Sequence, residues 1–211
     1  VGASSRLKVV LADGVLGGKA SWPKLEGFVQ KLSGTRVDDV AQASVLVTDD
    51  LKRSEKTAIA FAAGVPIVAS SWLSASAAAG GQLQCNDYPP PNTRKFERAQ
   101  GVDLQLSLSE ARRRPLLSNR RVFATKSCWG GKLDWRAIVR AAGGEPLKTM
   151  PRSDDALVLT CDADAQLRAS ARFALYEQDL LLDVIFKQRL DDVGKFEVPQ
   201  KGSSGRSARR R

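Results

Sequence analysis

Residues 44–73, SVLVTDDLKRSEKTAIAFAAGVPIVASSWL, constrain the architecture more than any other stretch of the chain. Ser44 to Thr48 is an apolar run without polar alternation, the pattern of a buried strand. Ser54 then offers an N-cap to a helix that runs through Ala63, and Gly64 ends it. Val65 to Ala69 is a second apolar strand, with Pro66 near its start where a missing N–H is tolerated. Ser70 or Ser71 opens a further helix that turns Trp72, Leu73 and Ala77 inward. Strands that alternate with helices in this way call for a mostly parallel sheet with helices on both faces.

Upstream, Leu7 to Leu11 is a Val-rich strand closed by the turn signal Ala12-Asp13-Gly14. Ser21 caps a helix with Pro23 in its first turn; Leu25, Phe28, Val29 and Leu32 fall on one face, and Gly34 is expected to stop it. A short strand near Thr35 to Val37 completes a β-α-β-β-α-β-α order. The order returns from Arg121 on. Val122 to Thr125 is a strand, Leu133, Ala137, Ile138 and Ala141 mark a helix ended by Gly143-Gly144, and Leu157 to Thr160 is a strand. Asp164 to Arg172 is poorly defined, Phe173 to Leu175 is a possible strand, and Asp179 caps a helix carrying Leu181, Leu182, Ile185 and Phe186. Self-similarity at this period marks a duplicated domain. The expected fold is α/β: two units, residues 6–88 and 120–199, each a small, mostly parallel four-stranded sheet flanked by helices. Between them, residues 89–119 begin with three prolines and hold one short helix, Ser107 to Arg114, with Ser107 and Glu110 as its capping box and Pro115 as its stop. Such a linker is stiffer than a Gly/Ser tether, so the two units are expected to pack against each other.

Charge and composition narrow the function. The net charge is +10, and residues 201–211 hold five of the cations with no acid, which leaves +5 for the rest. That tail lacks large apolar residues and is expected to be disordered; a weak, salt-sensitive contact with DNA is its functional reading. The chain has no His, which removes Ser-His and Cys-His nucleophile pairs and His-ligated metals, and it has no GxxxxGK[ST] or GxGxxG stretch. Neither an enzyme, a cofactor nor a metal is expected. Cys85, Cys128 and Cys161 match no CxxC-type cluster and leave an odd thiol, which fits a reducing compartment. No apolar run reaches the about 18 residues that span a bilayer, and the N-terminus lacks a signal-peptide layout. Trp22, Trp129, Trp135 and Phe186 read as core or seam residues, not as a base-stacking surface.

The Gly64-Val65-Pro66-Ile67-Val68 strand followed by Trp72-Leu73, and the Gly143-Gly144 turn, resemble the signature of BRCT domains. The likeness covers about residues 6–199. Within the family, SLSEARRRPLLSNRRVFAT and TMPRSDDALVLTC look most like the tandem pair of checkpoint mediators of the DNA damage response. The resemblance implies a phosphate pocket in the first unit, built from a hydroxyl at the end of the first strand, the amide of the following Gly, and a Lys that opens the second helix. Gly14 and Lys56 match the last two. Asp13 stands where the family has the hydroxyl and would repel a phosphate, which leaves three alternatives: the register shifts by a residue or two, other donors such as Ser54 serve the pocket, or phosphate binding is weakened or lost. Arg53, three residues before Lys56, matches an Arg that meets a peptide's terminal carboxylate, with pairing to Asp49 or Asp50 as its plain alternative. Ala58 is placed at a peptide-specificity pocket that its small size leaves open. The function so implied is non-enzymatic recognition of a phosphoserine or phosphothreonine peptide by a monomeric module of a nuclear, chromosome-associated scaffold, in the DNA damage response or at another site such as the kinetochore. The alternative is a basic DNA-binding or phosphate-independent protein-interaction pair.

Overall fold

A computed structural model describes residues 6–151 and 155–199; the basic tail expected at 200–211 lies outside them. The apolar runs become strands for the reason the pattern gives: in β1 (Lys8–Leu11) and β3 (Val45–Val47), every residue but Lys8 is at most 1% exposed. The first unit runs β1, α1 (Trp22–Lys31), β2 (Thr35–Arg36), β3, α2 (Glu55–Ala63), β4 (Ile67–Val68) and α3 (Ser71–Ala79). Its sheet has the order β2-β1-β3-β4 and is parallel throughout. The linker follows with α4 (Thr93–Gln100) and α5 (Leu104–Arg113). The second unit repeats the plan: β5 (Arg121–Ala124), α6 (Trp135–Ala141), β6 (Glu145–Pro146), β7 (Ala156–Thr160), α7 (Ala165–Ser170), β8 (Tyr176–Glu177) and α8 (Asp179–Lys187), in the parallel order β6-β5-β7-β8. Among the described residues, no helix is long and apolar enough to cross a membrane.

Several local expectations are corrected. The linker holds two helices, and the second starts at Leu104 because the Asp103 carboxylate accepts from the Leu106 amide at 2.8 Å. Ser107 is buried inside that helix, and Glu110 pairs with Arg113. The last strand is Tyr176–Glu177, three residues after the Phe173 start expected for it, and residues 165–170 form α7. Helix α1 ends at Lys31, with Ser33 and not Gly34 taking the left-handed conformation at φ 54°.

Helix α2 joins the halves. Residues Thr57 to Ala62 are all buried, since α2 packs on its own sheet and against α5, α6 and α8. Its Phe61 ring meets Phe186 of α8 edge to face at 4.9 Å, and Phe186 meets Phe96 of α4 in the same way at 5.4 Å. Aromatic pairs in this geometry contribute about 0.5–1.5 kcal/mol beyond their buried area. One hydrophobic core therefore runs through both units and the linker, while a second fills the other face of the first sheet. Gly64 lets α5 approach: a Cβ there would lie 2.9 Å from the Leu108 carbonyl oxygen, and its φ of +67° favours Gly besides. Gln188 Nε2 donates to the Phe61 carbonyl at 3.2 Å across the same seam.

In the second unit, the turn after β5 is closed by its own chain. The Asp164 carboxylate accepts from Thr125 Oγ1 at 2.6 Å, Ser127 Oγ at 2.9 Å and the Cys161 amide at 3.0 Å. Burial raises the Asp164 carboxyl, but the bonds from Thr125, the Cys161 amide and Ser127 outweigh it and hold the group below its ordinary value. Cys128 lies beneath, its thiol pushed up to about 11 by burial.

Two outcomes follow from this packing. Phe186→Ala should cost about 3–5 kcal/mol, seen as a lower urea midpoint that shifts equally for probes in both units, because the ring serves three elements at once. The Cys128 thiol keeps its proton to about 11 when folded and loses it above 9.0 when unfolded, so unfolded chains bind fewer protons between these values and stability falls as pH rises through that window. Urea midpoints on either side of 9.0 should show this fall in the native chain, and Cys128→Ala should lessen it.

Candidate functional site

The site is built where the β1 turn meets the N-terminal tip of α2. Gly14 begins it with a close approach: a Cβ at this position would lie 2.7 Å from Thr48 Oγ1 and 2.8 Å from the Asp50 carbonyl oxygen. Only Gly lets the turn lie against the β3–α2 loop. Two bonds tie the two segments, and a third ties the loop to the start of α3. The Asp49 amide donates to the Gly14 carbonyl at 3.0 Å, the Leu16 amide donates to Asp49 Oδ2 at 2.8 Å, and the Ser70 amide donates to Asp49 Oδ1 at 2.8 Å. Asp49 is buried and fully engaged, which removes it as the partner considered for Arg53. The linker clamps the same loop: Asn92 Nδ2 donates to Asp50 Oδ1 and the Leu51 carbonyl, and Asn92 Oδ1 accepts from the Leu51 amide.

Lys56 points into this crevice. Its Nζ donates to the Leu11 carbonyl at the end of β1, at 3.1 Å, and stands 5.9 Å from the centre of the Trp22 ring. An ammonium has three donors, so this leaves two N–H groups for an anion. The amides of Asp13, Gly14, Glu55 and Lys56 donate to nothing among the described residues. Ser54 caps α2 by accepting from the Thr57 amide at 3.3 Å, and its hydroxyl also lies 2.9 Å from Thr57 Oγ1. A helix tip with orphan amides, a positive dipole end and a lysine suits a phosphate or carboxylate. The Asp13 carboxylate does not plug the crevice; it is exposed and 4.0 Å from Lys19 Nζ. Trp22 is half-buried against the first unit's core, and Arg36, Lys19 and Lys56 all face its ring, a platform that sequence reasoning missed.

Arg53 leaves the same loop toward the second unit. It reaches Asp179 Oδ1 at 3.8 Å and Gln100 Oε1 at 3.2 Å, with its guanidinium 5.8 Å from the Phe186 ring centre. Neither Asp49 nor Asp50 pairs with it. Ala58 is fully buried, so it cannot line an open specificity pocket. Its small side chain serves the packing of α2.

The corresponding turn of the second unit carries no free anion niche. Asp164 fills it, and where α2 opens with Glu55-Lys56, α7 opens with Ala165-Gln166. Cys128, Cys161 and Asp164 bring potential metal-ligand atoms within 4.8 Å of one another, a grouping hidden by the separation of the two cysteines in the sequence. The carboxylate's bonds to Thr125, Ser127 and the Cys161 amide account for this cluster as a lock on the turn.

A family model described as BRCT domain matches residues 115–197. The chain is 32% identical over 168 residues to the human mediator of DNA damage checkpoint protein 1, which covers 77% of this chain and 8% of that protein. The mouse protein of the same name is 30% identical over 171 residues, covering 77% of this chain and 10% of that one. The chain thus spans a small part of these relatives. Among solved structures, BRCT5-BRCT6 of S. pombe Brc1 aligns with a TM-score of 0.67 at 17% identity, covering 89% of this chain and 95% of that one. The structure of Rtt107p in complex with a phosphorylated histone aligns with a TM-score of 0.60 at 13% identity, covering 93% and 94%. With two such sheets, a helical linker between them and one continuous core, the chain belongs to the BRCT domain family as a tandem pair.

Proposed function

We propose that this tandem pair is a non-enzymatic module that reads a phosphoserine or phosphothreonine peptide through the first unit. The observation that carries the reading is the Lys56 ammonium, held at the β1 turn by one carbonyl with two donors unused, beside the unpaired amides of Asp13 and Gly14. The phosphate lies against Lys56, these amides and the tip of α2. Ser54 keeps its hydroxyl on its own helix and acts as the cap. Asp13 turns its carboxylate outward to Lys19, so it offers its amide while its charge weakens the anion's hold. Arg53 stands on the peptide's path toward the seam, where its guanidinium suits a carboxylate.

The Rtt107p structure with a phosphorylated histone and the kinship to a DNA damage checkpoint mediator support a phosphorylated chromosomal partner. The module works as a nuclear monomer that recruits a larger scaffold to that partner, in the DNA damage response or at another chromosomal site such as the kinetochore.

Titration of paired phosphorylated and unphosphorylated peptides against the native chain and Lys56→Met tests this. The native chain should favour the phosphorylated peptide, and Lys56→Met should bind it about 10–100-fold more weakly, the range of a hydrogen bond to a charged group. Equal affinity of the native chain for both peptides would overturn the reading. Asp13→Ser should tighten the phosphopeptide several-fold by removing a repelling charge and restoring a hydroxyl; weaker binding would show that Asp13 helps hold the peptide. A free terminal carboxylate should bind better than its amide to the native chain and equally to Arg53→Gln; an undiminished preference would exclude Arg53 from that contact.

A further inference from the structure

A cleft of about 690 Å³ opens between the tip of α2 and the segment from the end of β5 through α6. Lys126, Lys132, Arg136 and Arg140 line it, and all four are exposed. None has an acid within salt-bridge distance among the described residues. Arg136 is set in place by its guanidinium, 4.5 Å over the Trp135 ring. Two acids share the wall; both accept backbone hydrogen bonds and keep their charge, so they offset two of the four cations. Glu55 Oε2 accepts from the Asp134 amide at 2.7 Å, and Asp134 Oδ1 caps α6 by accepting from the Arg136 and Ala137 amides at 3.1 Å.

Elsewhere the chain often neutralises such side chains, as in Arg36 with Glu26, Arg168 with Glu177 and Lys187 with Asp183. Four cations against two carboxylates leave the concave wall with an excess of positive charge and focus a positive potential into the cleft, which raises the local concentration of an anionic ligand. The volume is that of a site for a small ligand or a short peptide. A duplex presents its phosphates on a convex surface and matches such a hollow poorly. The position also matters: Glu55 on the cleft wall is the immediate neighbour of Lys56, so the cleft and the anion niche flank one helix tip.

We infer that this cleft seats an acidic, Asp/Glu-rich segment of the same partner, flanking the phosphorylated residue. The inference rests on the phosphopeptide reading above and adds a second determinant, supplied by the second unit. The phosphate fixes the peptide at Lys56, and the acidic run then engages Lys126, Lys132, Arg136 and Arg140 across the seam. Because these contacts are exposed, they should weaken with salt more steeply than the phosphate contact.

The test uses phosphopeptides extended by a run of Glu or by the same run as Gln, on either side of the phosphoresidue, with the native chain and a Lys132→Glu/Arg140→Glu variant. Native chain should favour the Glu extension on one side by about fivefold at low salt, as several exposed pairs that each contribute little would give. The variant should lose that preference and keep the native affinity for the Gln peptide, which also shows that its fold and phosphate niche are intact. A Lys132→Gln/Arg140→Gln variant should lose it in part. Equal affinity for Glu and Gln extensions on both sides, or an undiminished preference in the charge-reversed variant, would overturn the inference. Duplex DNA that displaces the Glu-extended peptide from the native chain, and binds more tightly than that peptide, would overturn it in favour of nucleic acid. Unphosphorylated peptides separate the two readings: if they match their phosphorylated forms yet the Glu preference stays and falls in the variant, the phosphate reading fails while the cleft stands.

Discussion

The edge-to-face contacts of Phe186 with Phe61 and Phe96 hold the molecule's working parts in register. Each ring comes from a different part of the chain: α2 of the first unit, α4 of the linker and α8 of the second unit. Fixing them together fixes the direction of α2, and α2 carries Lys56 on its first turn. A helix buried this completely cannot rock or slide without opening a cavity, because interiors are packed to crystal density. The anion niche is therefore positioned by hydrophobic contacts on the far side of the helix that forms it. Asn92 and Arg53 extend the same fixation to the loop before α2, through Asp50, Leu51, Gln100 and Asp179.

The duplicated units have diverged at one electrostatic point. In the first, the β1 turn leaves amides unpaired and directs an ammonium into the gap. In the second, the matching turn is filled by a carboxylate that accepts from Thr125, Ser127 and the Cys161 amide. A site with its own fixed anion has no need of a phosphate. The proposed reading implies a division of labour: the first unit supplies the anion niche, and the second supplies the α8 face that meets Arg53 together with the basic wall beyond Glu55. Rigid packing across α2 lets these surfaces act as one.

Much of the fold is legible in the sequence because its strands are unbroken apolar runs and its turns carry Gly or Pro where the backbone needs them. Val9 to Leu11, Val45 to Val47 and the Gly64-Val65-Pro66 turn announce themselves in this way, whereas Lys56 is picked out only by the family resemblance, as the Lys that opens the second helix. Helix α4 escapes such a reading because TRKFERAQ buries only Phe96 and shows no apolar stripe. The start of α5 is misread at Ser107 because Ser107 and Glu110 have the spacing of a capping box, whereas the Asp103 carboxylate, accepting from the Leu106 amide, caps the helix four residues earlier. Ala58 reads as small and hence open. In the structure its smallness lets other helices come close, a property of tertiary packing. The Asp164 lock joins residues 39 apart through the parallel register of β5 and β7, which no local pattern encodes.

In the proposed mechanism, the first unit's turn and the tip of α2 form one anion seat while the second unit's turn is closed. Amide chemical-shift mapping with a phosphopeptide tests it most directly, because each turn reports separately. The prediction is saturable shifts at Asp13, Gly14, Glu55 and Lys56 with Ser127 and Asp164 unmoved. Shifts centred on Thr125 to Cys128 and Asp164, with Gly14 and Lys56 silent, would contradict it.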